Sequence, residues 1–290
     1  MGARLALALL RFVQALPLRV QLWLGDTLGA LAHALAGSRR RIAHRNLERC
    51  LPALDASARA KLVREHFKWL GRSIVDRGLF WYAPRARIES LLQVDGDVGL
   101  AARTPGPVQW IVPHFVALEA AAAAVQLCQP RRAATIYQRR SNPVFDAAVR
   151  AGRERFGDSV LFARHESAKP LLRAIKEGLV FFNLPDMDFV IKDAAFVPFF
   201  GVPAATLLAP SRMARALGIT TQLVVAEMLD EGGWRVHFGP AWTDWPTDDA
   251  LADTRVMNAR IEAEVRKLPA QYLWVHKRFK TRPEGEASFY

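Results

Sequence analysis

From Pro84 onward, short apolar runs alternate with helical patterns, and this alternation constrains the fold more than any other feature of the chain. The runs have the length of strands and lie at 108–112, 133–137, 159–162, 179–184 and 220–228. The segments between them predict helices at 116–128, 143–156, 167–177 and 204–217. Such an order predicts an α/β domain with a central, mostly parallel sheet flanked by helices. A further strand at 234–238 and a long helix at 248–267 complete the predicted domain.

The first 37 residues are strongly apolar, but Arg11, Pro17, Arg19 and Asp26 interrupt them. No uninterrupted stretch reaches the roughly 18–20 residues that span a bilayer, and the pattern fits a cleaved signal peptide poorly. We therefore expect membrane-associating helices over residues 1–37, followed by one domain over 38–290. A basic run at 39–41 would meet anionic headgroups. The alternative is a buried helix of a soluble domain.

The net charge of +12 predicts an anionic partner. Half of this excess lies in residues 1–50, interleaved with leucines, which favours a lipid surface over nucleic acid. The chain has no recognition-helix, finger or RNA-binding pattern, so we expect no nucleic-acid partner. Cys50 and Cys128 form neither a disulfide framework nor a metal motif, and they predict free thiols in a reducing compartment.

An acid follows a histidine by five positions in "HFVALE", where an apolar strand ends and a helix begins. On a regular helix this step rotates by about 140°, so the two side chains meet only if His114 precedes the helix that carries Glu119. We expect Glu119 to accept the proton of one ring nitrogen, which leaves the other nitrogen free to deprotonate a hydroxyl. Spacing alone is weak evidence, because a core histidine that caps a helix gives the same pattern.

Five blocks in the same order resemble the late acyltransferases of lipid A biosynthesis, the lauroyl and myristoyl type of Gram-negative bacteria. They are "RRRIAHRNLERCLP", "HFVALE", "YQRRSNPVFDAAVRAGRERFG", "LPDMDFVIKDAAFVPFFGVPAAT" and "PAQYLWVHKRFKTRPEG". The resemblance implies a glycerolipid-acyltransferase-like fold at the cytoplasmic face of the inner membrane. It also implies transfer of an acyl chain from acyl–acyl carrier protein to a hydroxyl of an anionic lipid A precursor of the Kdo-lipid IVA type. No metal or organic cofactor is implied.

The same resemblance indicates which residues bind substrate. Arg153 and Arg155 match the family's Gly-Arg-x-Arg segment and are expected to bind anions, as is Arg139, although Gln138 and Arg139 stand where the family often has Arg-Pro. Asp186 follows a strand and is expected to position an arginine or the acceptor. The phenylalanines of "FVPFFG" either line the acyl pocket or belong to the core.

Other functions remain open at this point. The same dyad and sheet serve enzymes that acylate glycerolipids, ornithine lipids or glycolipids. A basic membrane- or nucleic-acid-binding protein without activity is the less favoured reading. The sequence leaves acyl length, the acceptor hydroxyl and the oligomeric state undetermined.

Overall fold

The computed structural model describes residues 2–157, 159–164, 168–189 and 194–290. The helices are α1 (Gly2–Val13), α2 (Leu18–Leu35), α3 (Gly37–Cys50), α4 (Ala56–Tyr82), α5 (Arg85–Leu91), α6 (Leu100–Arg103), α7 (Leu118–Cys128), α8 (Pro143–Glu154), α9 (Lys169–Lys176), α10 (Ala209–Leu217) and α11 (Ala250–Lys267). The strands are β1 (Leu92–Gly96), β2 (Val108–Ile111), β3 (Ala133–Tyr137), β4 (Val160–Ala163), β5 (Val180–Asn183), β6 (Ala194–Phe199), β7 (Val202–Leu207), β8 (Thr220–Met228) and β9 (Trp234–Ala241).

Seven strands form the central sheet in the order β1-β9-β8-β2-β5-β3-β4. Strands β8, β2, β5, β3 and β4 run parallel to one another, whereas β9 is antiparallel to β8 and parallel to β1. The predicted α/β class with a mostly parallel, helix-flanked sheet is confirmed. In such a sheet the carboxyl ends of neighbouring strands meet along one edge, where α/β proteins place their sites.

The central strand β2 is buried on both faces, and its side chains alternate between two cores. Trp110 packs into the core that contains α4 and α7, while Ile111 packs into the core on the other face, with α11 and the C-terminal aromatics. Helix α7 presents Ala120, Ala121 and Ala124 to its core, and these small side chains let the helix lie close to the sheet. This close packing fixes where α7 begins relative to the end of β2.

The N-terminal helices pack against α4 rather than standing apart. Gly25 and Gly29 of α2 face Gly71 of α4, and a Cβ added to Gly71 would lie 2.2 Å from the carbonyl oxygen of Gly25. Only glycine permits this approach of two helix backbones. Among the described helices, none combines the length and the apolar character that a membrane crossing requires.

Three strands, β1, β6 and β7, were absent from the sequence-based prediction, and one predicted helix was too long. Residues 204–207 belong to β7, so the helix expected at 204–217 begins only at Ala209. Strands β6 and β7 form a hairpin whose turn has positive φ at Phe200 and Gly201. Such a turn normally carries Asn-Gly or Asp-Gly, and Phe-Gly gave no comparable signal. The first residue of the helix expected at 167–177, and positions 190–193 of one family-like block, lie outside the described residues.

Candidate active site

The centre of the site is a hydrogen-bonded pair, His114 and Asp186. The ring Nδ1 of His114 lies 2.6 Å from Oδ1 of Asp186, and the backbone N–H of His114 donates to Oδ2 at 2.8 Å. His114 follows β2 and Asp186 follows β5, and these two strands are parallel neighbours. Residues 72 positions apart in the sequence therefore meet at the carboxyl edge of the sheet.

The contact with Asp186 determines the tautomer of the neutral His114 ring. Burial acts to raise the pKa of Asp186, but the charge and hydrogen bonds of His114, with the charge of Arg278, outweigh it and hold this pKa below its ordinary value. An ionised aspartate only accepts hydrogen bonds, so Nδ1 carries the proton. Nε2 is then left with a lone pair, which is the arrangement that a general base requires.

Glu119 makes a different contact from the one that the sequence predicted. Its Oε1 accepts hydrogen bonds from Nε of Arg153 at 3.1 Å and from the terminal Nη2 at 2.6 Å. Burial acts to raise the pKa of Glu119, but the charges of Arg153 and Arg77 and the hydrogen bonds from Arg153 hold it below its ordinary value. The acid that orients His114 is thus Asp186, because the position after β5 places a carboxylate directly on the ring.

The C-terminal segment holds the loop that carries His114. Leu273 donates its backbone N–H to the carbonyl of His114 at 3.0 Å, and Val116 donates to the carbonyl of Gln271 at 2.8 Å. Behind the pair lies His276, whose pKa is lowered to about 4 by burial and by the nearby charges of His114 and Arg278. His276 is therefore neutral at pH 7 and its Nε2 accepts a hydrogen bond from the backbone N–H of Asp188.

His114 and Glu119 both line one cavity of about 450 Å³. This volume lies within the range of sites that hold small organic ligands. One part of the lining is apolar and comes from α7, β3, β4 and β5: Leu118, Ala122, Val125, Ala133, Leu161 and Phe182. The other part is cationic, with the arginines Arg77, Arg140, Arg153 and Arg164. The cavity thus joins an apolar channel to a positively charged region beside the candidate base.

Of the other residues predicted to bind substrate, some line the cavity and others lie outside it. Arg153 lines the cavity, paired with Glu119. Arg155 instead donates to the backbone carbonyls of Phe80 and Ala83, at the end of α4, which a helix terminus leaves without partners. Arg139 is exposed, and the described lining of the cavity contains its neighbours Gln138 and Arg140 rather than Arg139 itself.

Two aromatic segments of the sequence form core. Phe199 and Phe200 are buried in the same cluster as Tyr272, Trp274 and Phe279. Of the two interpretations of "FVPFFG", the core is therefore the one that the structure supports. The C-terminal aromatics pack in the same place, and both cysteines are free thiols. In the described part of the chain no three His, Cys, Asp or Glu side chains are grouped as metal ligands.

Arg77, Arg140 and Arg164 belong to the site although sequence reasoning did not select them. Arg140 and Arg164 follow β3 and β4, and the rule that sites lie beyond strand ends would have found both. Arg77 lies within the long helix α4, and nothing in its sequence neighbourhood marks it.

The sequence matches the model of one protein family, described as bacterial lipid A biosynthesis acyltransferase, over residues 1–281. The chain is 34% identical to the lipid A biosynthesis palmitoleoyltransferase of Escherichia coli strain K12, over 95% of this chain and 90% of the relative. It is 33% identical to the lauroyltransferase of the same strain, over 99% and 94%, and 30% identical to the myristoyltransferase, over 91% and 82%. The family model covers residues 1–281 and the relatives align over nearly the whole chain, so this chain belongs to the bacterial lipid A biosynthesis acyltransferases and is an enzyme that transfers acyl groups.

Proposed function

We propose that the protein transfers a fatty acyl chain from acyl–acyl carrier protein to a hydroxyl of a lipid A precursor of the Kdo-lipid IVA type. The observation that carries this proposal is that His114, paired with the buried Asp186, lines the 450 Å³ cavity together with its apolar and its cationic residues. Family membership supports acyl transfer in lipid A biosynthesis, and the geometry supports the choice of base.

In the proposed reaction the acceptor hydroxyl attacks the thioester carbonyl directly. Nε2 of His114 takes the hydroxyl proton as the new carbon–oxygen bond forms, and Asp186 stabilises the resulting imidazolium. The carbon–sulfur bond then breaks, and the departing thiolate recovers the proton from His114 as a thiol. No covalent acyl-enzyme is needed, and Cys128 lies at the far end of α7 from Glu119.

The apolar part of the cavity suits the acyl chain. Leu118, Ala122 and Val125 lie along one face of α7, and Ala133 marks the opposite end of β3 from the catalytic edge. The channel therefore leads away from His114 along the helix, and burial of each methylene is worth about 0.8 kcal/mol. The relatives use lauroyl, myristoyl and palmitoleoyl chains, and their similar identities to this chain do not select one length.

Glu119 and Arg153 complete the proposed site as a fixed ion pair. The pair lines the cavity together with His114, and its charges are tied by two hydrogen bonds. We assign it the positioning of substrate polar groups relative to His114. Removal of Glu119 is expected to slow transfer through lost orientation rather than through loss of the base.

The proposed setting is the cytoplasmic face of the inner membrane, with the acidic carrier protein arriving from the cytoplasm. Helix α1 exposes Leu5, Leu9 and Phe12, which are spaced by four and three residues and so share one face. Trp23 and Leu35 of α2 are exposed as well. An amphipathic face of this kind, on a strongly basic protein, suits an anionic bilayer surface. Sedimentation with phosphatidylglycerol vesicles tests this, and failure to sediment would contradict it.

Mass spectrometry of the products tests the proposed function directly. Purified protein would receive lauroyl-, myristoyl- and palmitoleoyl-carrier protein, with Kdo-lipid IVA, a glycerophosphate and an ornithine lipid as competing acceptors. We expect acyl addition to Kdo-lipid IVA and loss of at least about 100-fold in His114→Ala, the lower range of general-base contributions. Exclusive use of glycerophosphate would overturn the acceptor assignment, and undiminished turnover by His114→Ala would overturn the mechanism.

A further inference from the structure

The described lining of the cavity contains four arginines and a single acid. Arg77 comes from α4, Arg153 from α8, and Arg140 and Arg164 from the loops after β3 and β4, whereas Glu119 of α7 is the one carboxylate on the described lining. Guanidinium groups stay charged in proteins. The described lining therefore has an excess of three positive charges, counted with His114 neutral.

The negative charge of Glu119 is already balanced by Arg153. Oε1 of Glu119 accepts two hydrogen bonds from Arg153, so the two side chains form an ion pair. Among the described residues, no carboxylate lies within ion-pair distance of Arg77 or Arg140, and neither guanidinium donates a hydrogen bond to the described chain. Arg164 differs, because its guanidinium stacks on the ring of Phe189.

Arg77 is the most informative of these arginines because it is only partly exposed, whereas Arg140 is exposed. Burial lowers its pKa, the carboxylate of Glu119 raises it, and the charges of Arg153 and Arg140 lower it further. A buried cation without a partner is costly in free energy, so native proteins normally pair it. An exposed arginine would need no such explanation. Among the described residues no second carboxylate offsets these charges, and an anion brought by a ligand would do so.

We propose that Arg77, Arg140 and Arg153 bind a phosphate group of a substrate in the part of the cavity next to Glu119. This rests on the proposed function and names the chemistry that the cationic region recognises. Guanidinium groups bind phosphate oxygens through paired N–H donors, and three of them converge here from α4, the loop after β3 and α8. The phosphate belongs either to the lipid acceptor or to the phosphopantetheine arm of the carrier protein.

A purely structural role for Arg77 would be to neutralise Glu119. Arg153 already does so at 2.6 Å, and a second cation adds charge that the acid does not offset. A structural role also predicts the same loss of activity on every substrate. A phosphate-binding role predicts a loss that depends on whether the phosphate is present, and this difference provides the test.

The experiment compares Arg77→Gln, Arg77→Lys and Arg140→Gln with the control Arg64→Gln, an exposed arginine of the same helix α4. Each purified variant is assayed for kcat/KM with acyl–carrier protein and with acyl-pantetheine, which lacks the phosphate. The acceptor is a phosphorylated lipid A precursor or its phosphatase-treated form. Circular dichroism checks folding, and Arg140→Gln, at an exposed position, provides a second variant if Arg77→Gln does not fold.

We expect Arg77→Gln to lose about 30-fold or more in kcat/KM with both phosphates present, as when one partner of a buried charge pair is removed. Arg77→Lys should recover part of this loss, and Arg64→Gln should be unchanged. If the loss vanishes with the phosphatase-treated acceptor, the acceptor supplies the phosphate. If it vanishes with acyl-pantetheine, the donor supplies it. An equal loss on all substrates, or no loss, overturns the proposal.

A binding measurement separates this proposal from the proposed function. If the wild-type protein transfers no acyl group, calorimetry with the phosphorylated precursor and, separately, with acyl–carrier protein still tests the arginines. Binding of either ligand that is at least about tenfold weaker in Arg77→Gln than in the wild type supports the phosphate site, while equal binding of both ligands by the two proteins overturns it.

Discussion

Asp186 and Glu119 are two carboxylates of one site, the first fully buried and the second mostly buried, and they contact different kinds of basic side chain. Asp186 contacts the imidazole of His114 from 72 residues away, whereas Glu119 contacts the guanidinium of Arg153, 34 residues away. Glu119 lies only five positions from His114 in the sequence, yet its hydrogen bonds go to another helix. Neighbouring parallel strands, rather than proximity along the chain, determine which acid orients the base.

The two contacts give the two acids different functions. Both carboxyls have a lowered pKa, Asp186 through His114 and Glu119 through Arg153 and Arg77, each against the effect of burial. In the proposed reaction the imidazole gains and loses a proton, so the charge beside Asp186 would change within each turnover. A guanidinium keeps its charge, so Glu119–Arg153 is a constant electrostatic feature of the cavity. In the proposed reaction the first pair exchanges a proton with the substrate, and the second provides a fixed site for polar groups.

The largest effect on activity is expected for Asp186→Asn, which replaces the carboxylate that contacts His114. The amide can donate to Nδ1 and so favour the tautomer that has its proton on Nε2, which cannot act as a base. We expect kcat to fall by about 10²–10⁴-fold, the range of general-base contributions, while KM changes little. Steady-state kinetics with the protein's acyl donor measures both quantities.

The matched control for Asp186→Asn is Asp188→Asn, two positions along the same loop. Asp188 accepts hydrogen bonds from the backbone and hydroxyl of Thr281 and does not contact the ring of His114 through its carboxylate. We expect less than about tenfold loss of kcat there, since the base remains oriented. Equal losses in the two variants would show that Asp186 acts only by holding the loop.

A smaller effect is expected for Glu119→Gln, and we expect it mainly in the free energy of unfolding. Glu119→Gln leaves Arg153 beside Arg77 without a carboxylate, which should cost about 3 kcal/mol of unfolding free energy, the lower end for a broken buried pair. Urea denaturation measures this loss. The double variant Glu119→Gln, Arg153→Gln should recover part of it, because no charge is then left unpaired. Additive losses in the double variant would contradict an ion pair at this position.

Much of the fold and part of the site can be predicted from the sequence. The remaining features depend on contacts between segments that are distant along the chain. The length and the apolar character of two sequence segments identify the strands that precede His114 and Asp186, because core strands are short and apolar. The His114–Asp186 contact depends on which strands are neighbours, and the order β2-β5-β3 is a property of the whole sheet. Arg155 matched a family segment, but its side chain caps the carbonyls at the end of α4, a use that no motif records.

A third buried acid, Asp76 of α4, shows what burial does when the nearest partner is neutral. Its Oδ2 accepts a hydrogen bond from the indole of Trp234 at 2.8 Å. Burial raises its pKa to about 7, and the hydrogen bond from Trp234 and the charge of Arg72 only partly oppose this. Asp186 and Glu119 show the opposite shift of pKa, so the basic side chain beside each of them outweighs burial.

Asp76→Asn should therefore change how stability depends on pH, with the smallest effect of the three. In the unfolded chain the carboxyl ionises near its ordinary pKa of 3.8, whereas in the folded protein it ionises near 7. Between these values the folded state binds more protons, so the stability that Asp76 contributes is complete below about pH 4 and falls as the pH rises to 7. Asparagine keeps the oxygen that accepts from Trp234 and cannot ionise. Relative to this variant, the wild-type protein should lose on the order of 1–2 kcal/mol of unfolding free energy from pH 5 to pH 7, since each unit of pKa shift corresponds to at most about 1.4 kcal/mol. Urea denaturation at several pH values measures the difference, and parallel curves for the two proteins would show that Asp76 ionises as readily in the folded protein as in water.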